Sequence, residues 1–290
     1  MILTQQLILG ILVGGLYGLA AAGLSLTFGV LRVLNIAHGE LLMLGGYGAF
    51  WLFTLWHIDP FVSLLGVGPA MFVLGLVLYW ALFQFVVGAH EELRIKNSLL
   101  IGFGLTLVLH TLAIRVWTAD ERSVSTAYSG AALRIGGFAI PLVRLSSLAL
   151  AFAVLTALHL FLTRTHWGRA IRATAEDWEA AALMGIPVAR TYLLAFALGT
   201  ALAGIAGGLV SVSYSISPSI GMEWTLKALI VVVLAGLGSL FGSFVGGIVL
   251  GLAEATSVTL LGGPYREVVG LLLFLVILLL RPQGLFGGRG

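Results

Sequence analysis

Apolar runs of about twenty residues alternate with short polar gaps from one end of this chain to the other. A helix needs about 20 mostly apolar residues to cross the hydrocarbon of a bilayer, and that rule marks eight segments as candidate spans: about 7–29, 38–57, 61–88, 97–117, 145–163, 191–212, 226–252 and 267–280. The runs lack the period-2 alternation of a membrane barrel. Helices also satisfy their own backbone polar groups, as hydrocarbon demands. The pattern predicts an all-α integral membrane protein of about eight transmembrane helices, forming one membrane domain over residues 1–290.

Two stretches interrupt the pattern. Between Gly29 and Gly39 the apolar run is broken by Arg32, Asn35 and His38. The 226–252 stretch holds Gly236, Gly238, Gly242, Gly246, Gly247 and Gly251, and reads either as one helix or as a half-helix followed by a full one. Non-helical backbone at membrane depth survives where protein buries it or water reaches it, so both places are candidates to line a path. The alternative is that the glycines serve close helix packing. Gly23–Gly29 and Gly236–Gly242 are also faintly alike, as duplicated transporter halves can be. Leu133-Arg134-Ile135 and Phe138-Ala139-Ile140 flank a Gly136-Gly137 pair and predict a small hairpin.

Composition sharpens this picture. Hydrophobic residues make up 60% of the chain and charged residues 9%, against roughly 25% charged in soluble domains, so this exterior suits lipid and not water. With no cysteine, disulfides, thiolate metal sites and thiol nucleophiles are excluded. The net charge is +3, and its cations sit mainly between the apolar runs, where they act as topology signals and not as a nucleic-acid surface. Met1 to Gly10 has no basic region ahead of its apolar stretch and is expected to lead into a retained span.

The gap from Thr163 to Arg190 is the most informative. On a helix over 170–184, Ile171, Thr174, Ala175, Trp178, Ala181 and Ala182 fall on one face, with Arg172, Glu176 and Glu179 opposite. Gly185 followed by Pro187 is a stop signal. This predicts a short amphipathic helix, too polar to cross the membrane. Its alanine-rich face suits a protein groove; lying among lipid headgroups is the other reading.

Glu179-Ala180-Ala181 followed by Met184-Gly185-Ile186-Pro187 resembles the EAA-type coupling motif of bacterial ABC importer permeases. Gly15-Leu16-Tyr17-Gly18-Leu19, Gly23–Gly29, Asn35-Ile36-Ala37-His38-Gly39-Glu40 and the ending Leu280–Gly287 resemble branched-chain amino acid (LIV-type) permeases of the shorter, H-type class. The likeness runs across essentially the whole chain. It implies a permease subunit of an ATP-driven importer in the bacterial inner membrane, carrying branched-chain or other hydrophobic amino acids delivered by a binding protein. It implies a cytoplasmic loop docking into the ATPase, with Arg169, Ile171, Thr174, Trp178 and Glu179 in the contact set. Ala180, Ala181, Ala182, Gly185 and Pro187 complete that set. Implied partners are a second permease, two ATPase subunits and an extracytoplasmic binding protein. The chain has no Gly-x-x-x-x-Gly-Lys-Ser/Thr loop, so hydrolysis is expected from the separate ATPase, with no enzyme activity and no cofactor in this chain.

Polar residues inside the apolar segments leave alternatives. Asn35, His38 and Glu40 are path candidates, with Ser239, because charge at membrane depth often marks a pathway. Structurally, Glu40 could pair with Arg32 or cap a helix, and Asn35 could be an N-cap. His110 and His159 read as packing residues, Glu223 and Lys227 as an i,i+4 ion pair, and Glu254 as interfacial. Competing functions are a urea or short-amide permease of the same family and a proton-coupled carrier using His38, Glu40 and Glu254. The amphipathic loop argues against the carrier, which needs no docking helix. Placing 164–190 inside puts 118–144 outside. A split in 226–252 would return the chain end, with Arg281 and Arg289, to the inside.

Overall fold

The computed structural model describes residues 2–88, 91–135, 137–281 and 283–286. Seven helical stretches among these are long and apolar enough to cross a membrane: Leu3–Leu31, Pro60–Val87, Leu93–Trp117, Leu142–Arg164, Val188–Ser213, Leu240–Leu260 and Gly263–Leu280. They belong to helices α1 (Ile2–Leu31), α3 (Pro60–Leu78, running on through a π-helical turn, Tyr79–Phe83, into α4, Gln84–Val87), α5 (Glu91–Trp117), α6 (Leu142–Arg164), α9 (Val188–Ser213), α11 (Leu240–Leu260) and α12 (Arg266–Leu280). Two more helices, α2 (His38–Trp56) and α10 (Ile220–Ala235), complete the bundle. His38, Glu40 and several glycines dilute α2, and it packs mostly inside the protein.

The expected 226–252 segment is two elements. α10 ends at Gly236 (φ 96°), Gly238 (φ 88°) turns the chain, and α11 starts at Leu240. Gly23–Gly29 lies within the unbroken α1, so its likeness to Gly236–Gly242 is not one of structure. The split also resolves the chain end: α11 and α12 run antiparallel, and Leu285 and Phe286 donate backbone hydrogen bonds to Leu234 and Ala235 at the end of α10. Pro282, Gly287 and Arg289 lie outside the described residues.

α1 and α11 form the most extensive seam. A Cβ on Gly14 would sit 2.7 Å from the carbonyl oxygen of Gly247, and Gly247 is blocked by the backbone of Gly14 and Gly18 in turn. This is the small-residue packing that lipid-embedded helices use, where no hydrophobic force separates helix from lipid tail. Between Leu31 and His38 the chain doubles back, and His38 Nε2 lies 2.9 Å from the carbonyl oxygen of Ala20, well inside α1. α2 therefore begins at membrane depth.

At one end of the bundle lies the hairpin of β1 (Ala132–Ile135) and β2 (Phe138–Pro141), paired antiparallel with Ile135 opposite Phe138. Gly136 of the expected turn is outside the described residues. At this hairpin face Gln5 bonds Ala139, tying down the start of α1. Asp59 caps α3 through Phe61 N and accepts from the Tyr128 hydroxyl at 2.6 Å; burial and that bond push the Tyr128 pKa up to about 12. The opposite loop face carries residues 165–187. The two polar loops expected on opposite sides thus sit at opposite ends of α6.

Candidate functional site

On the loop face the segment after α6 folds as two helices, α7 (His166–Glu176) and α8 (Trp178–Leu183), and not as the single helix expected over 170–184. The reason is local chemistry. Thr165 caps α7 by accepting from Gly168 N at 3.0 Å. Asp177 is extended (φ −150°) and caps α8, its Oδ1 accepting from Glu179 N at 2.9 Å and Ala180 N at 3.0 Å. An Asp that bonds the next turn's N–H groups competes with helix continuation. α8 ends as expected: Gly185 takes φ +83°, Ile186 N bonds Ala181 O, and Pro187 leads into α9.

The break rotates the two halves and changes which side chains are free. Ile171 and Thr174 of α7 are buried, with Ala170, against the chain's own body. Ala181 of α8 is buried too. Arg169, Glu179, Ala180, Ala182, Gly185 and Pro187 are exposed. Trp178 is 46% exposed, and Leu183 and Met184 are 89% and 83% exposed. The single-helix projection put Ile171, Thr174, Trp178, Ala181 and Ala182 on one face; Asp177 divides them. Leu183 and Met184 were not in the expected contact set. Behind the segment a cavity of about 1010 Å³ is lined by Arg32, Arg94, Thr174, Glu176, Trp178 and Tyr192 among others.

Asn35, His38 and Glu40 come together in the interior. Residues 32–37 are non-helical; Arg32 is exposed, Leu34 and Ile36 are half-buried, and protein buries Val33, Asn35 and Ala37. Asn35 Oδ1 accepts from Ala37 N at 3.1 Å, making a turn one residue ahead of the helix. Ser98 Oγ accepts from Leu34 N at 3.1 Å, and Thr225 Oγ1 from Gly39 N at 2.9 Å. The proton of Thr225 is within reach of Gly221 O at 2.9 Å and Ile36 O at 3.2 Å. Glu40 is not paired with Arg32. It lies in the first turn of α2 against Gly221, its Oε1 4.0 Å from His110 Nδ1, and its Oε2 is buried without a hydrogen bond. His110 Nδ1 also lies 3.1 Å from Pro218 O, and His159 is exposed on α6. Ser239 lies far from these, at the loop face. It caps α11 by accepting from Gly242 N at 3.0 Å.

Glu254 is not interfacial but buried on α11. It accepts from Tyr17 at 2.8 Å and from Arg266 Nε at 2.6 Å, and Lys227 Nζ is 3.9 Å away. Lys227 also pairs with Glu223 at 2.7 Å, as the i,i+4 spacing predicts. Tyr17 and Arg266 gave no signal in the sequence, because their partners are 237 and 12 residues away.

A bundle of helices long and apolar enough to span a membrane, with a capped, protruding helix pair on one face, defines a multi-pass membrane protein. Over residues 6–280 the chain matches the family described as "Branched-chain amino acid transport system / permease component", and it belongs to that family. It is 32% identical to the high-affinity branched-chain amino acid transport system permease protein BraD of Pseudomonas aeruginosa, over 98% of this chain and 95% of that one. It is 29% identical to the permease LivH of Escherichia coli over the same shares, 98% and 95%. Among solved structures, PsaBC from Streptococcus pneumoniae in complex with Fab has a TM-score of 0.47 at 12% identity, covering 94% of this chain and 91% of that one, a likeness too low to bear on function.

Proposed function

We propose that this chain is one permease subunit of an ATP-driven importer for branched-chain amino acids, and that α8 is where it docks its ATPase. The carrying observation is the exposed apolar end of α8. Leu183 and Met184 project from a polar loop at an aqueous face, where exposed apolar groups beside polar ones mark a partner's surface. Trp178, Glu179, Ala180 and Ala182 flank them. Ile171, Thr174 and Ala181 anchor the segment to the bundle, so that a push on α8 reaches α6 and α9. Arg169 faces out from α7, and Gly185 with Pro187 sets the angle at which α8 leaves α9. A second permease, two ATPase subunits and an extracytoplasmic binding protein complete the assembly. The chain holds no cofactor of its own and carries out no chemistry.

The test is co-purification of the ATPase with single-site variants, with leucine-stimulated hydrolysis and uptake in liposomes. Leu183→Arg is expected to weaken ATPase retention by about tenfold or more, equivalent to about 1.4 kcal/mol. Gly185→Val, forced into a left-handed backbone, should uncouple uptake from hydrolysis. Glu176→Ala should change little. Full retention and normal uptake for both Leu183→Arg and Gly185→Val would remove α8 from the interface.

A further inference from the structure

The cluster around Lys227 lies at membrane depth. Trp224 packs edge-on to Tyr17, ring centroids 5.3 Å apart, and Tyr17 is midway along the 30 residues of α1. It is about 21 Å from either end at the ordinary helical rise. Charges at such depth face the protein interior or water. Glu223 is 48% exposed, so its carboxylate needs an aqueous space. That space is a cavity of about 240 Å³. Toward the hairpin face it is lined by Glu121, Ser215 and Ser217; its deep end is Lys227 and Arg266, and Val13, Ile220 and Trp224 make an apolar wall.

We propose that this cavity is a transient binding site for a zwitterionic aliphatic amino acid, with Lys227 receiving the carboxylate and Glu223 the ammonium group. The inference rests on the substrate class proposed above. Glu254 is already committed, held by Tyr17 and Arg266. Lys227 and Glu223 form the pair at the cavity, 2.7 Å apart, with Glu254 Oε1 farther from Lys227 Nζ at 3.9 Å. A zwitterion brings one charge of each sign and takes over both halves of that pair, leaving neither uncompensated. A simple anion on Lys227 would strand Glu223, and a simple cation on Glu223 would leave Lys227 only Glu254, 3.9 Å away and already held by Tyr17 and Arg266, in a site where a poorly paired charge is costly. The apolar wall receives the side chain. A volume below the roughly 300 Å³ at which drug-sized sites begin limits the ligand to about one amino acid. Opening toward the hairpin face sets the site to receive cargo from the side opposite α8.

The experiment uses the assembled transporter, permeases with ATPases, in lipid nanodiscs without binding protein, and radiolabelled L-leucine. Saturable leucine binding is expected, with leucinamide (no carboxylate) and 4-methylpentanoate (no ammonium) each competing about tenfold or more worse, as a site built to bond a polar group rejects analogues lacking it. Lys227→Met should lose the preference over leucinamide, and Glu223→Gln the preference over 4-methylpentanoate. Co-elution of both variants with the ATPase subunits establishes that they assemble. A pair with only a structural role would weaken all three ligands alike. The site is overturned if the wild-type complex binds no leucine, or if both variants keep the wild-type preferences. Wild-type proteoliposomes with binding protein separate the two levels: leucine uptake without leucine binding sinks this site alone, whereas no leucine uptake sinks the substrate reading with it.

Discussion

Residues 32–37 and residues 236–239 both interrupt a helix, and the two interruptions live in opposite surroundings. Beyond the exposed Arg32 the first runs into the bundle, and side chains from other helices stand in for water there: Ser98 from α5 and Thr225 from α10. The second is a turn at the loop face, where Leu237 is exposed, two glycines take positive φ, and one local hydroxyl, Ser239, caps the next helix. Depth decides what a helix break needs. In the interior every freed N–H must find a protein partner. At an aqueous face water covers what the cap does not.

The largest expected effect comes from the first turn of α2, just after the buried break. A Cβ on Gly39 would run into the carbonyl oxygen of Gly221 and the hydroxyl of Thr225. Backbone cannot swing aside as a side chain can. Gly39→Val should therefore cost about 3 kcal/mol, at the upper end for overpacking, and abolish a monodisperse detergent-solubilised chain. At the exposed turn, Gly238→Ala meets only Gly29 Cα at 3.4 Å, an ordinary contact. It pays about 1–2 kcal/mol for its left-handed backbone. Equal losses for the two in thermal denaturation would end the distinction between the breaks.

Thr225→Val is the intermediate case. It keeps the shape and removes the hydroxyl that accepts from Gly39 N and reaches Ile36 O. Leaving a buried donor unsatisfied costs about 1–3 kcal/mol. Thermal midpoints of the purified protein should fall clearly for Thr225→Val. They should be restored in part by Thr225→Ser, which returns the hydroxyl without the methyl.

Much of this was legible in advance because hydrophobic period and length are local. The apolar runs located the spans, and Gly136-Gly137 between short strands located the hairpin. Gly185 with Pro187 located the end of α8. What escaped had a tertiary or a single-residue cause. Asp177 sits in an alanine-rich run with good helix propensity, and its capping geometry alone splits α7 from α8. A wheel drawn through it therefore grouped Ile171 with Trp178. Glu254 read as interfacial because nothing near it in sequence says that Tyr17 and Arg266 meet it. Glycine counts alone could not separate the turn at Gly236 and Gly238 from the seam at Gly247.

The smallest expected effect sharpens the comparison most. Ser239→Ala removes a cap whose hydroxyl oxygen accepts from Gly242 N at 3.0 Å. Loss of such a cap costs about 1 kcal/mol. The site is half-buried at the loop face, so water can take up the freed N–H, and the loss should be smaller than for Thr225→Val. Because the chain has no cysteine, accessibility can be read at the same positions. Ser239→Cys should react with a small hydrophilic maleimide from the same side as a cysteine at Arg172, and not from the side of a cysteine at Ser129. Ser243→Cys, one turn further along α11 and fully buried, should stay protected, as should Asn35→Cys. Labelling of Asn35→Cys as fast as Ser239→Cys would mean that water reaches the buried break. The 32–37 stretch would then line a path and not an interior seam held by Ser98 and Thr225. Protection at Asn35 with reaction at Ser239 leaves the two breaks in their separate roles, one a packed support for α2 and the other a solvated turn between α10 and α11.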